Sequence, residues 1–229
     1  MSTPAIEPPH RRRITSNALG IGLATGAYAL SFGAISVASG LSVLQTQTLS
    51  VLMFTGASQF ALVGVLGAGG GAVAAVITAW LLGARNGLYA LSLAPILDVR
   101  GLRRMGAAQM TIDESTAMAL AHPEPVQAAR HAFWMTGLSV FVLWNLGTAV
   151  GALGAAAIDD PSSLGLDAAI PAGFIALLWP RLVGRSMWAV AVAGAVLALV
   201  LTPVLRPGLP VLAAGLVAFA ASWLLGRRS

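Results

Sequence analysis

The chain has 229 residues, a net charge of +5, 57% hydrophobic residues and only 9% charged ones, where a soluble domain carries about 25% charged residues. With a mean hydropathy of +0.83, this excludes a soluble globular domain and leaves an integral membrane protein. All 13 basic residues are arginines and, Arg85 apart, they lie at the edges of apolar runs, which points to membrane orientation and anionic headgroups and excludes nucleic-acid binding. There is no cysteine, so disulfides, thiolate catalysis and thiolate metal sites are excluded.

In chain order, residues 1–16 form a polar tail with Arg11, Arg12 and Arg13 at its end. It reads as an uncleaved cytoplasmic tail, because no small-residue cleavage site follows and the first apolar run is too long for a signal peptide. Residues 17–229 form a single transmembrane domain. Seven apolar segments follow one another at roughly 17–39, 44–67, 72–97, 131–157, 168–183, 186–203 and 209–225. All are expected to be helices, since an open sheet leaves its backbone unsatisfied in lipid and the alternating pattern of a membrane barrel is missing. The 26 glycines fit close helix approach. The expected fold is all-α, a polytopic helical bundle of seven to eight membrane segments, with room for broken or re-entrant helices.

Residues 105–121, MGAAQMTIDESTAMALA, make the eighth segment, which is moderately apolar. It is compatible with a surface helix, a re-entrant hairpin or a polar span. With a cytoplasmic tail and seven crossings, the acidic loop of Asp159, Asp160 and Asp167 would fall inside. Arg181, Arg185, Arg227 and Arg228 would then fall outside, against the arginine bias of cytoplasmic loops. An eighth crossing at 105–121 reverses those placements. It leaves Arg100, Arg103, Arg104 and, weakly, Arg206 misplaced. The version in which 105–121 enters the membrane is favoured. A weak internal echo links ASGLSVLQTQTLSVLMF, after the first span, to SSLGLDAAIPAGFIALLW, after the fourth; the repeat is inverted or parallel according to the number of crossings between them.

Three constellations carry chemistry. FTGASQF, residues 54–60, interrupts the second segment with Gly56, Ala57, Ser58 and Gln59. A break there would expose amides of a half-helix N-terminus to an anionic group; an unbroken helix would use Ser58 and Gln59 for interhelical hydrogen bonds. Arg85, followed by Asn86, lies about halfway along the third segment, where a charge costs roughly 2.5–3.5 kcal/mol on insertion scales. Its planar fork suits a carboxylate, or a structural partner in Asp113, Glu114 or freed carbonyls. Asp113 and Glu114 are candidates for carrying a proton or facing a substrate ammonium. Being adjacent, they point about 100° apart on a helix, so at most one is expected to face a given cavity. Asn145 and Thr148 fit interhelical hydrogen bonds, and His131, beside Arg130, fits the interface. The six tryptophans lie near span ends or packed faces, where anchoring is the default. No metalloprotease, P-loop, nucleophile-elbow or cysteine-nucleophile signature is present, so neither enzyme activity nor a cofactor or metal is expected.

FTGASQFALVGVL, LLGARNGLYALSLAP, MTIDESTAMALA and WNLGTAVGALG followed by LGLDAAIPAGFIALL resemble, in that order, the AzlC-type large subunits of branched-chain amino acid exporters, the azaleucine-resistance permeases. The likeness covers roughly residues 17–225. It implies a multi-pass secondary permease of the bacterial inner membrane that exports valine, leucine, isoleucine or similar apolar amino acids. It also implies a small AzlD-type membrane partner. The family motifs match at Gly56, Ala57, Ser58, Gln59 and Phe60, at Arg85 and Tyr89, and at Asp113 and Glu114. Where the family pattern has histidine after the arginine, this chain has Asn86, so a proton role there does not transfer. The expected substrate ligands are Gly56, Ala57, Ser58, Gln59, Arg85 and Asn86, with Asp113 or Glu114 for the ammonium or the coupling proton. An uncoupled channel and a non-transporting membrane scaffold are the rival readings.

Overall fold

A computed structural model of the chain describes residues 6–158 and 182–205, with isolated positions at 175, 179, 209–210 and 213–217. The loop of Asp159, Asp160 and Asp167 therefore lies outside the described residues, and the expected segments at 168–183 and 209–225 and the second half of the internal echo lie mostly outside them. Among the described residues there is no strand. The helices are α1 (Pro8–Ala38), α2 (Val43–Leu52), α3 (Gly56–Gly67), α4 (Ala72–Gly83), α5 (Arg85–Leu97), α6 (Leu102–Met110), α7 (Asp113–Leu120), α8 (Val126–Ala156) and α9 (Arg185–Leu201).

Among the described residues, three stretches are long and apolar enough to cross a membrane: α1, the 26-residue α4–α5 rod and α8. Helix α1 starts at Pro8, so Arg11, Arg12 and Arg13 lie on its first turns rather than in a tail. Proline suits that place because its missing N–H would have no partner there anyway. Helices α1 and α8 run parallel in close contact, as their pairs show: Thr15 with His131, Gly22 with Ser139, Gly26 with Leu143 and Gly147, and Leu30 with Gly151. Glycine makes this approach possible. A methyl on Gly26 would sit 2.9 Å from the Leu143 carbonyl oxygen, and one on Gly147 would strike the Gly26 carbonyl. Small residues at four-residue spacing on both helices let the backbones touch.

The segment 44–67, expected as one span, is two helices. Ser42 and Gln45 cap α2 reciprocally, the Ser42 hydroxyl accepting from the Gln45 amide at 3.1 Å and the Gln45 side chain accepting from the Ser42 amide at 2.8 Å. The chain then leaves helical geometry at Met53, Phe54 and Thr55. After α3, Gly69 takes φ +77° and the Gly70 amide closes back on the Val65 carbonyl, a glycine-terminated helix end. The direction of the next rod shows where this pair begins and ends. Arg130, at the start of α8, donates from Nε to the Ile96 carbonyl at 2.7 Å. The end of α5 is therefore beside the starts of α1 and α8, and the start of α4 is at the opposite end. The short links at 39–42 and 68–71 then place both the start of α2 and the end of α3 at that opposite end. The pair enters the bundle, turns at Met53–Thr55 and leaves by the side it entered.

The segment 105–121 does the same from the other side. Helix α6 begins just after α5, and its end meets the middle of α8, where a methyl on Gly137 would lie 2.9 Å from Met110 Cβ. The helix breaks at Thr111–Ile112. Helix α7 returns to the end where α1 starts, where His122 meets the ring of His10 at 5.5 Å and Met118 packs with Ile14 and Ala128. Of the three possibilities open in the sequence, the described residues take the re-entrant hairpin. The two hairpins touch at their tips, where Gln109 Nε2 donates to the Val51 carbonyl at 2.7 Å. A long helix with its hairpin is thus followed by a second long helix and hairpin of inverted direction. Arg11, Arg12, Arg13, Arg100, Arg103, Arg104 and Arg130 all gather at one end, and the misplacement that an eighth crossing would impose on Arg100, Arg103 and Arg104 disappears.

Candidate functional site

The hairpin tips and the middles of all three long helices enclose a cavity of about 460 Å³, within the range of small-molecule sites. The first tip supplies Phe54, Thr55, Gly56 and Ala57, and the second supplies Ile112, Asp113 and Glu114. The long helices contribute Ala24, Thr25 and Tyr28, Leu82 and Arg85, and Val140 and Trp144.

Arg85 is near the middle of the α4–α5 rod. Ala84 stays right-handed helical at φ −57° and ψ −27°. The rod is only locally tightened there, with the Gly87 amide bonding the Ala84 carbonyl at 3.0 Å. One terminal nitrogen of Arg85 lies 3.0 Å from an Asp113 carboxylate oxygen, and both side chains are 23% exposed. Its Nε is buried with no protein partner among the described residues, while part of the side chain stays open to the cavity, where a guanidinium can receive an anion. Asp113 and Glu114 form the first turn of α7, where carboxylates offset the positive end of the helix dipole. Both line the cavity, against the expectation that only one would. The helix points its end, not its side, at the space, so the 100° between neighbours does not hide either.

The break in FTGASQF falls at Met53–Thr55 and α3 starts at Gly56. Thr55 provides no side-chain cap. The first bond of the ladder runs from the Gln59 amide to the Thr55 carbonyl, so the amides of Gly56, Ala57 and Ser58 precede it. Gly56 and Ala57 present this helix start to the cavity, an arrangement that favours anions.

The other expected ligands sit differently. Gln59 is wholly buried and spends both ends of its amide on the protein. Its Nε2 donates to the Met53 carbonyl at 2.7 Å and reaches those of Leu49 and Ser50 at 3.4 Å. Its Oε1 accepts from the Trp144 indole at 2.9 Å. Ser58 is buried behind the lining with an unpartnered hydroxyl, and the Asn86 Oδ1 is likewise buried without a partner among the described residues; neither lines the cavity. Asn145 accepts from Gln47 at 3.0 Å and Thr148 from Ser50 at 3.2 Å, joining α8 to α2. His131 meets Thr15 at 2.9 Å at the end of the bundle.

Tyr28, Thr25 and Trp144 line the cavity and are absent from the residues the sequence singled out. Trp144 is 5% exposed, in contrast with Trp80, which is 73% exposed. The position of Trp144 at the middle of a long span, rather than at an end, was the available signal.

The fold and its central charged cavity define a polytopic helical membrane protein with two opposed re-entrant hairpins. The AzlC protein family matches residues 20–158, more than half of the chain, and the protein belongs to that family. It is 30% identical over 172 residues to an uncharacterized membrane protein of Archaeoglobus fulgidus, covering 73% of this chain and 74% of the relative. No solved structure matches it.

Proposed function

We propose that the protein is a secondary transporter that exports branched-chain or similar apolar amino acids across the plasma membrane by alternating access. The observation that carries the reading is one largely apolar cavity that holds the Arg85–Asp113 ion pair, Glu114 and the α3 N-terminus together. A zwitterion needs both signs of charge a few ångströms apart, and an aliphatic tail needs the apolar remainder.

Arg85 is neutralised by Asp113 at 3.0 Å. An entering carboxylate takes over the guanidinium together with the Gly56 and Ala57 amides. The displaced Asp113 then faces the substrate ammonium or accepts a proton, with Glu114 beside it. This exchange keeps the buried charge balanced in both the loaded and the empty carrier, which matters because an unpaired charge at this depth is costly. The two hairpins approach the site from opposite ends, so each is suited to gate one side, and the Gln109–Val51 contact closes the seam between them. The resemblance to AzlC-type large subunits supports the substrate class, the bacterial inner membrane and a small AzlD-type partner.

The test is counterflow. Proteoliposomes carrying the protein with a candidate small subunit, preloaded with unlabelled leucine, are expected to accumulate labelled leucine transiently and saturably. Labelled leucine that only equilibrates would assign an uncoupled channel. The absence of both flux and leucine-dependent thermal stabilisation would favour a scaffold.

A further inference from the structure

The indole of Trp144 is held at two edges by a single helix. Its N–H donates to Gln59 Oε1 at 2.9 Å. Its six-membered ring lies over Gly56, where an added methyl would come within 2.8 Å of Cη2 and 3.2 Å of Cζ2. Phe32 stacks on it at 6.1 Å and Phe60 meets it edge-on at 6.5 Å. Gln59 is itself immobilised by the carbonyls that end α2. An indole clamped in this way cannot swing aside to admit a larger guest.

We propose that Trp144, clamped by Gln59 and seated on Gly56, is the wall that limits the length of the apolar side chain the cavity accepts, and that Gln59 is its positioning residue rather than a substrate ligand. This rests on the reading of the cavity as an amino acid site. Trp144 stands with Val140, Phe54 and Ile112 in the apolar part of the lining, so a change there acts on the tail of the guest. Arg85 and Asp113 are left untouched, and because the indole also rests on Gly56, whose amide serves the carboxylate, the ratio between competitors is the readout rather than overall affinity.

The experiment measures competition by alanine, valine, leucine and phenylalanine against labelled leucine in proteoliposomes. Trp144→Phe retains an aromatic ring but loses the clamped N–H and part of the wall. It is expected to improve phenylalanine relative to valine by about tenfold, the scale of one methylene-sized change in a pocket, with alanine unchanged. Gln59→Met removes the clamp at similar volume and is expected to shift the same ratio in the same direction. If it does not fold, Trp144→Phe decides alone, because that variant leaves the Gln59 bonds to α2 in place. Equal weakening of all four competitors would make Trp144 merely structural and overturn the inference while leaving the site intact. A wild-type protein that none of the four inhibits would instead overturn the amino acid site itself, and this inference with it.

Discussion

At the scale of single residues, the proposed mechanism turns on one arginine, Arg85, and the carboxylate it holds, Asp113. A guanidinium and an ammonium carry the same charge, but only the guanidinium presents a planar fork. Arg85→Lys is therefore expected to keep the pairing with Asp113 and the fold, yet lose most leucine flux; near wild-type initial rates would remove the carboxylate clamp. Asp113→Asn removes the internal competitor for Arg85. Because a hydrogen bond to a charged group contributes about 1.5–3 kcal/mol, substrate should bind roughly tenfold or more tightly. Turnover should fall, since the returning carrier now lacks the carboxylate that pairs with Arg85. A lower KM with a lower maximal rate supports this exchange, whereas a raised KM refutes it. Glu114→Gln, which leaves the Arg85–Asp113 pair intact, should change binding much less.

Arg85 and the glycine break were legible as residues, because a charge or a break in an apolar run violates the pattern around it. Tyr28 was not, since an aromatic side chain in a membrane helix looks the same whether it faces lipid, a neighbouring helix or a cavity, and for Trp144 only its mid-span position set it apart. Gln59 was legible as an unusual residue, but its bonding partners were not. Only the folded chain brings the Leu49, Ser50 and Met53 carbonyls and the indole N–H to its amide at once.

At the scale of elements, the α1–α8 contact is the spine on which the hairpins rest. Its tightness depends on backbone approach and not on side-chain volume. Gly147→Ala drives a methyl into the Gly26 carbonyl, and overpacking of this kind costs about 1–3 kcal/mol. The apparent thermal unfolding midpoint of the detergent-solubilised protein should drop. Gly154→Ala, on the same helix with nothing within 4 Å, should leave the midpoint unchanged or raise it, because alanine is favoured over glycine in a helix by roughly 0.5–1 kcal/mol. Equal shifts for the two variants would show that glycine acts there through helix propensity alone. The capped start of α2, the break at Met53–Thr55 and the acidic start of α7 each follow from local sequence: a Ser-x-x-Gln box, a glycine with small polar neighbours, and a pair of carboxylates. Whether a break continues a span or reverses it does not follow, because hydrophobic periodicity marks a buried face and carries no record of where the chain goes next.

At the scale of the whole molecule, two hairpins of opposite entry meet at a charged centre. That arrangement fits a carrier with one gate per side. If Asp113 or Glu114 takes up a proton when Arg85 changes partner, an imposed proton gradient should drive net leucine movement in proteoliposomes, and an uncoupling ionophore should abolish the effect. Leucine fluxes indifferent to the gradient would leave a facilitator.

The residues by themselves determined the solvent, the helical class and the position of the buried charge, and marked FTGASQF as a candidate break. Each of these depends on the composition of a short stretch and on the energy of moving that stretch out of water. Tertiary structure alone decided that 44–67 and 105–121 turn back, that the arginines of three separate segments share one end, and that Arg85 closes on Asp113. These depend on contacts between segments that lie as much as 116 residues apart or more. In a bilayer such contacts form through close backbone approach and buried hydrogen bonds, neither of which leaves a periodic mark in the sequence.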